Sequence, residues 1–295
     1  MVFYLPDAKI KNSFKERFIM KKIVCLVLAL VMIVGCLAGC GKKDDDNVLR
    51  VAMECAYAPY NWTQSDDSNG AVPIEGTDSF AYGYDVMWAK KIATELGKEL
   101  VIVKSDWDSL VPGIQSGAFD LVIAGQSPTP ERAAVVDFTL PYYYASIVVL
   151  VKADSPYASA TSVADLDGAV CTSQIGTIWY DTCLPQIPNA DIQPAQETAP
   201  AMLIALDSGA VDIVVTDQPT GLAALEAYDG FVMLEFPMDE GGFQVTQEDI
   251  NICMSVQKGN TELANAINGI LDDYTEEDYK NMMNEAIVLQ PVTED

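Results

Sequence analysis

The segment Leu110–Gly125 reads LVPGIQSGAFDLVIAG, and ninety-two residues further on Met202–Asp217 reads MLIALDSGAVDIVVTD. Laying Ser116-Gly117 over Ser208-Gly209 also lays Asp120 over Asp212, and Leu121–Ala124 over Ile213–Thr216. Each copy has the pattern of a helix, a glycine stop, a short turn and a buried strand. A chain that carries this unit twice is constrained towards two similar α/β halves. The surrounding sequence agrees: Leu49–Met53 reads as a strand, and Asp85–Lys98 as a helix with Val86, Ala89, Ile92, Ala93 and Leu96 on one face and Gly97 at its end. Leu100–Val103 reads as the next strand. Strands alternating with helices predict an α/β fold with mainly parallel sheets flanked by helices. In open sheets of this kind ligands sit beyond the carboxyl ends of strands, which puts Gly125 and Asp217 at matching strand ends, one in each half.

Half of the 295 residues are apolar, enough for one large core or two medium ones. Charge is lopsided, with 17 basic against 43 acidic residues and a net of -26. Residues 1–39 hold six of the basic and two of the acidic residues, so the remainder carries 11 against 41. Such a body is repelled by phosphate backbones and anionic lipid surfaces, which excludes nucleic acid as a partner. The sequence contains no histidine and no CxxC pair, which argues against a His/Cys zinc site and removes histidine-based general catalysis. No cofactor is expected. Cys55, Cys171, Cys183 and Cys253 are read either as buried thiols or as members of pairs such as Cys171 with Cys183, a choice that sequence leaves open because a disulfide needs specific geometry.

Met20-Lys21-Lys22 opens a short basic segment, and residues 23–39 then run without a charge to Cys40. This is a signal-peptide pattern. Leu37-Ala38-Gly39-Cys40 has the form of a bacterial lipobox, which implies cleavage before Cys40, a diacylglycerol on its thiol, and a body tethered to the outer face of the cell membrane. A retained anchor helix is the rival reading, at the short limit for spanning a bilayer. Residues 1–19 add nothing to the signal and fit a start called upstream of Met20. The polar stretch over 40–48 is read as a lipidated cysteine and tether, and the fold begins near Leu49.

From residue 40 onward there are two arginines, Arg50 and Arg132. Arg132 follows the first repeat strand in a Gly- and Pro-rich turn, where its planar donor fork is suited to grip a carboxylate. A surface pair with Glu131 is the plainer alternative.

Taken together, Tyr57-Ala58-Pro59-Tyr60, Gly83-Tyr84-Asp85, the helix from Trp107 through Asp120, Thr129-Pro130-Glu131-Arg132 and Asp137 through Tyr142 resemble the motifs of the bacterial polar-amino-acid binding proteins that serve ABC transporters. The resemblance runs from Leu49 to about Gln290. It implies a two-lobed periplasmic-binding-protein-like fold of type II, with lobe 1 formed by residues 49–147 and 253–295, lobe 2 by 148–252, and a ligand cleft between them. It also implies an extracellular substrate-binding lipoprotein, a monomer, that hands a polar amino acid to an ABC permease. By the same resemblance Arg132 grips the ligand carboxylate, and the turn Gly125-Gln126-Ser127 meets the carboxylate and amino groups. Gly176 and Thr177 offer a helix start in the second lobe, and Asp217 receives the ammonium. Tyr57 and Trp107 flank the ligand side chain, and Glu54 faces its distal end.

Arg132 and Asp217 already balance a zwitterion, so Glu54 is surplus negative charge. A buried carboxylate without a partner is costly, so lysine, arginine, histidine or glutamine suit the site better than aspartate or glutamate. Two other functions fit the same fold. An enzyme similar to cyclohexadienyl dehydratase is one, although the sequence offers carboxylates without a histidine or a nucleophile elbow. A sensory ectodomain is the other, and it calls for a membrane helix leading to a signalling domain, which residues up to Asp295 do not include.

Overall fold

A computed structural model describes residues 47–291 of the protein. The expected signal segment, Cys40 and most of the tether lie outside the described residues. Among these, no helix is long and apolar enough to cross a membrane. The described residues fall in one compact unit.

Fourteen strands are described: β1 (Val48–Met53), β2 (Ala56–Tyr57), β3 (Asn61–Gln64), β4 (Val72–Pro73), β5 (Phe80–Tyr82), β6 (Glu99–Lys104), β7 (Leu121–Val122), β8 (Val136–Tyr144), β9 (Ile147–Lys152), β10 (Val170–Thr172), β11 (Asp191–Ile192), β12 (Ile213–Asp217), β13 (Phe231–Glu235) and β14 (Asn251–Gln257). They build two five-stranded sheets, in the orders β6-β1-β7-β14-β8 and β11-β10-β12-β9-β13, and a four-stranded sheet β2-β3-β5-β4. The two larger sheets have the same plan. In the first, β6, β1 and β7 are parallel and β14 runs against both β7 and β8. In the second, β11, β10 and β12 are parallel and β9 runs against both β12 and β13. Each sheet is therefore mainly parallel, as expected, with a single reversed strand. The reversed strands are those by which the chain arrives from the other sheet, β9 following β8 and β14 following the second sheet.

The repeat seen in the sequence is a repeat in space. Helices Trp107–Ser116 and Ala199–Asp207 both end near a glycine in the left-handed region, Gly117 with φ 72° and Gly209 with φ 73°, where a side chain would be strained. Each aligned aspartate then clasps the neighbouring strand. Asp120 donates its N–H to Arg50 O (3.0 Å) and accepts the Arg50 N–H on Oδ2 (2.8 Å). Asp212 does the same with Val170, at 2.8 and 3.0 Å. The repeat strands β7 and β12 are fully buried, as parallel strands covered on both faces should be.

Helix Tyr84–Glu95 starts one residue before the expected position and stops short of Lys98, because Gly97 N–H and Lys98 N–H turn back to Thr94 O and Ala93 O. Helices Thr261–Leu271 and Glu276–Leu289 close the chain, the second opened by a capping box between Thr275 and Asp278. Segment 64–80, rich in Asp, Ser and Gly, is ordered into the small sheet, with Arg50 paired to Glu75 by two bonds of 2.8 and 2.5 Å. Cys55, Cys171, Cys183 and Cys253 are all buried free thiols, and burial pushes each up to about 12.

Candidate functional site

All ten candidate residues lie at or beyond the carboxyl end of a strand or at the helix it feeds. Glu54 and Tyr57 follow β1, and Gly125, Gln126 and Ser127 follow β7, with Arg132 on the short helix Pro130–Ala133 beyond them. Gly176 and Thr177 follow β10, Asp217 closes β12, and Trp107 opens the helix after β6. This is where α/β sheets hold ligands, because strand ends leave backbone groups and helix starts facing a common crevice.

Among the described residues, hydrogen bonds from three side chains join the ends of the first sheet to those of the second. Glu54, 4% exposed, accepts the Gln174 amide on both carboxylate oxygens, at 3.3 and 3.2 Å. The Tyr57 hydroxyl donates to Asp217 Oδ2. Arg132 donates from Nη1 to Ser127 O (2.9 Å) on its own side and from Nη2 to Gly176 O (2.8 Å) on the other. The Arg132 guanidinium also lies over the Trp107 ring, 5.0 Å from its centroid, and the Tyr57 ring is 6.4 Å from that of Trp179.

Burial sets the electrostatics. Glu54 is pushed up to about 7, chiefly by burial and further by Asp106 and Asp108, while the Gln174 amide and Lys104 pull it down. Burial raises Asp217 also, against hydrogen bonds from Tyr57 and Thr220. Arg132 falls to about 10 through burial, opposed by Asp181, Glu131 and Asp108, and so stays protonated near neutrality. The site therefore offers one half-buried cation, Arg132, and two buried carboxylates, Glu54 and Asp217, the carboxylates on opposite sides of a crevice.

Several side chains point otherwise than the resemblance implied. Gly125 N–H donates to the Tyr142 hydroxyl (3.0 Å), and the Ser127 hydroxyl to Asp249 O (2.7 Å), so neither donor faces the crevice. Gln126 accepts Cys253 N–H on its carbonyl (2.8 Å) and the Ser255 hydroxyl on its side chain (3.2 Å). It ties the turn to β14, as a neighbour of the crevice. The Thr177 hydroxyl donates to Gln174 O (2.7 Å) at the start of a short π-helical turn, Trp179–Cys183. Asp217 is also a helix cap: its Oδ1 accepts Thr220 N–H (2.8 Å) at the start of helix Gln218–Ala227, which leaves Oδ2 for the crevice. Gln174, Trp179 and Thr220 were not singled out in the sequence. Thr220 carried a signal, three residues past an N-cap aspartate, whereas Gln174 and Trp179 carried none.

Comparison with known proteins follows the same line. The sequence profile of the bacterial extracellular solute-binding proteins, family 3, matches residues 49–287. A probable histidine-binding protein of Campylobacter jejuni subsp. jejuni serotype O:2 is 32% identical over 172 residues, covering 58% of this chain and 60% of that protein. The arginine-binding extracellular protein ArtP of Bacillus subtilis is 30% identical over 164 residues, covering 54% and 58%. The matches thus span about three-fifths of the length of these two curated relatives. Among solved structures, an amino acid ABC transporter substrate-binding protein from Streptococcus pneumoniae Canada MDR_19A, bound to L-arginine, superposes with a TM-score of 0.72 at 26% identity, covering 84% of this chain and 96% of that one. The two-lobed periplasmic-binding-protein fold is shared with that structure.

Proposed function

Because the chain belongs to the bacterial extracellular solute-binding proteins of family 3, we propose that it captures an amino acid with a cationic side chain between its lobes and delivers it to the permease of an ABC importer. The observation that carries the choice of ligand is Glu54, a buried carboxylate whose donor is a neutral amide and whose neighbours include two further acids. A guanidinium or ammonium compensates that charge far better than an amide, since hydrogen bonds between charged groups are stronger.

In this reading the ligand carboxylate lies against Arg132, whose fork has N–H groups beyond the two already bonded to Ser127 and Gly176. The ligand ammonium takes the Tyr57 hydroxyl's place at Asp217 Oδ2, and the displaced ring flanks the ligand together with Trp107. Arg132 and Glu54 belong to the lobe built on the first sheet, and Asp217 and Gln174 to the lobe built on the second. One ligand then binds both halves, so it stabilises the closed form by its differential affinity for it. The joints are Ala145-Ser146 and the segment 246–250, which lie side by side through the bond from Ala145 N–H to Ile250 O (3.0 Å). A monomer tethered through a lipid on Cys40 and working at the outer membrane face completes the proposal. Likeness to histidine- and arginine-binding relatives supports the class of ligand.

The test is titration calorimetry of residues 46–295 with arginine, lysine, histidine, glutamine and glutamate. The expected outcome is a cationic ligand in the micromolar range, worth about -8 kcal/mol, with binding lost in Arg132→Ala and Asp217→Ala. Heat only with glutamate, or only with sugars, defeats the proposal.

A further inference from the structure

Glu54 and the Gly125 turn are held from behind by a carboxylate that touches neither. Asp85 is fully buried at the second position of helix Tyr84–Glu95. Its Oδ1 accepts the Tyr142 hydroxyl (2.7 Å), and the Tyr142 oxygen in turn accepts Gly125 N–H (3.0 Å). Its Oδ2 accepts the Asn61 amide (2.7 Å), and Asn61 Oδ1 accepts Cys55 N–H (2.7 Å). Two relays of two bonds each thus leave one carboxylate and end on the backbone beside two parts of the crevice.

The second relay ends where the chain is strained. Cys55 has φ 53°, a left-handed conformation that a residue with a Cβ adopts only when its surroundings hold it there. Asn61 holds its N–H, and the Thr63 hydroxyl donates to its carbonyl (2.7 Å). That bend aims Glu54 on one side and Tyr57 on the other. The same helix start also fixes the aromatic turn, since Tyr84 N–H and Asp85 N–H donate to Pro59 O (3.1 Å) and Tyr60 O (2.8 Å). Gly83 makes this approach possible, because a Cβ there would lie 2.4 Å from Tyr60 O.

Asp85 accepts on both carboxylate oxygens, so both relays run in one direction. Tyr142 has to give its proton to Asp85 and can only accept from Gly125. Asn61 has to point its amide at Asp85 and its carbonyl at Cys55. Replacing Asp85 by its amide reverses one arm, because an amide presents a donor to either Tyr142 or Asn61. If Asn61 turns over, two N–H groups meet at Cys55.

We propose that Asp85 is a positioning residue for ligand recognition, setting the Glu54–Cys55 bend through Asn61 and the Gly125 turn through Tyr142. The inference rests on the reading of the crevice as a site for a cationic amino acid. It predicts a split between the arms that simple loss of stability does not produce. The Asn61 arm governs how Glu54 meets the ligand side chain. The Tyr142 arm governs the turn beside Arg132, which meets the part common to all amino acids.

The experiment measures affinity for L-arginine and for L-citrulline, its neutral isostere, in residues 46–295 and in the variants Asp85→Asn, Asn61→Leu and Tyr142→Phe, with thermal unfolding of each. Asp85→Asn is expected to weaken arginine roughly tenfold or more, the scale of one misdirected charge-assisted hydrogen bond. Asn61→Leu lowers the preference for arginine over citrulline, and Tyr142→Phe weakens both ligands by a common factor and keeps the preference. Should Asp85→Asn fail to fold, the two single-arm variants carry the same test. The proposal is overturned if Asn61→Leu and Tyr142→Phe leave both affinities unchanged, or if both variants lower the two affinities in step with their loss of melting temperature. An unmodified protein that binds neither amino acid removes the functional reading and the inference with it, whereas an unmodified protein that binds arginine beside unaffected variants removes the inference alone.

Discussion

Glu54 stands at the end of β1, inside the crevice, with the Gln174 amide as its donor and Asp106 and Asp108 among the charges that act on it. Neutralising it without changing its shape isolates its charge. In Glu54→Gln, arginine affinity should fall about ten- to a hundredfold, as expected for a lost charged hydrogen bond, while glutamine affinity stays within a small factor. Parallel calorimetric titrations decide this, and an equal loss for both ligands would assign Glu54 a packing role only. Glu54 came into view in the sequence only through the resemblance to the amino-acid binding proteins, since nothing in its own surroundings, a strand end before an aromatic turn, assigns a side chain to a ligand. Its partner did not, since Gln174 follows β10 in a stretch with neither periodicity nor repeat. Directions of side chains were equally hidden. Tyr57 and Ser127 were placed at the crevice, but a pattern of positions does not reveal that the Tyr57 hydroxyl reaches Asp217 or that the Ser127 hydroxyl turns away to Asp249.

At the scale of elements, the repeated helix–turn–strand unit carries its own clasp. Asp120 and Asp212 fasten their strands to β1 and β10 through one N–H and one carboxylate each, so that each clasp both starts a strand and sets its register. Removing either carboxylate leaves a backbone N–H of the adjacent strand without its charged acceptor, which costs about 1 to 3 kcal/mol. Urea unfolding of Asp120→Ala and Asp212→Ala should register losses of that size in both. A loss in only one copy would mean that the repeat is one of sequence and not of structural role. This much of the fold was open to reading, because glycine stops and buried strands recur at fixed spacing. The small sheet β2-β3-β5-β4 was not. Its strands have two to four residues, too short for an alternating pattern, and they are held by distant partners: Ile74 bridges Ile102, Glu75 pairs with Arg50, and Lys90 donates to Gly70 O (2.7 Å).

For the molecule as a whole, the buried carboxylates make stability and ligand affinity respond to pH in opposite directions. Burial raises Glu54 and Asp85 to about 7, from ordinary values of 4.5 and 3.8 in the unfolded chain, and it raises Asp217 as well. Between those limits the folded chain binds more protons than the unfolded one, so its stability falls as pH rises and grows as pH drops through about 7. The penalty of keeping these groups ionised and buried is fully present only above that range. A cationic ligand works against this trend, since it binds the ionised form of Glu54 and loses its partner on acidification. The ligand-free protein should therefore melt higher at about pH 5.5 than at about pH 8, while the rise in melting temperature produced by a fixed arginine concentration should be smaller at the lower pH. Acids facing Glu54 from the neighbouring helix start, Asp106 and Asp108, sharpen this effect, and Lys104 and the Gln174 amide oppose it. Glu54→Gln separates the two contributions. It should flatten the pH dependence of the arginine effect yet leave part of the acid stabilisation of the free protein, the part that belongs to Asp85 and Asp217. An arginine effect of equal size at both pH values in the unmodified protein would show that the ligand's positive charge meets no titrating group, and would detach Glu54 from the binding site.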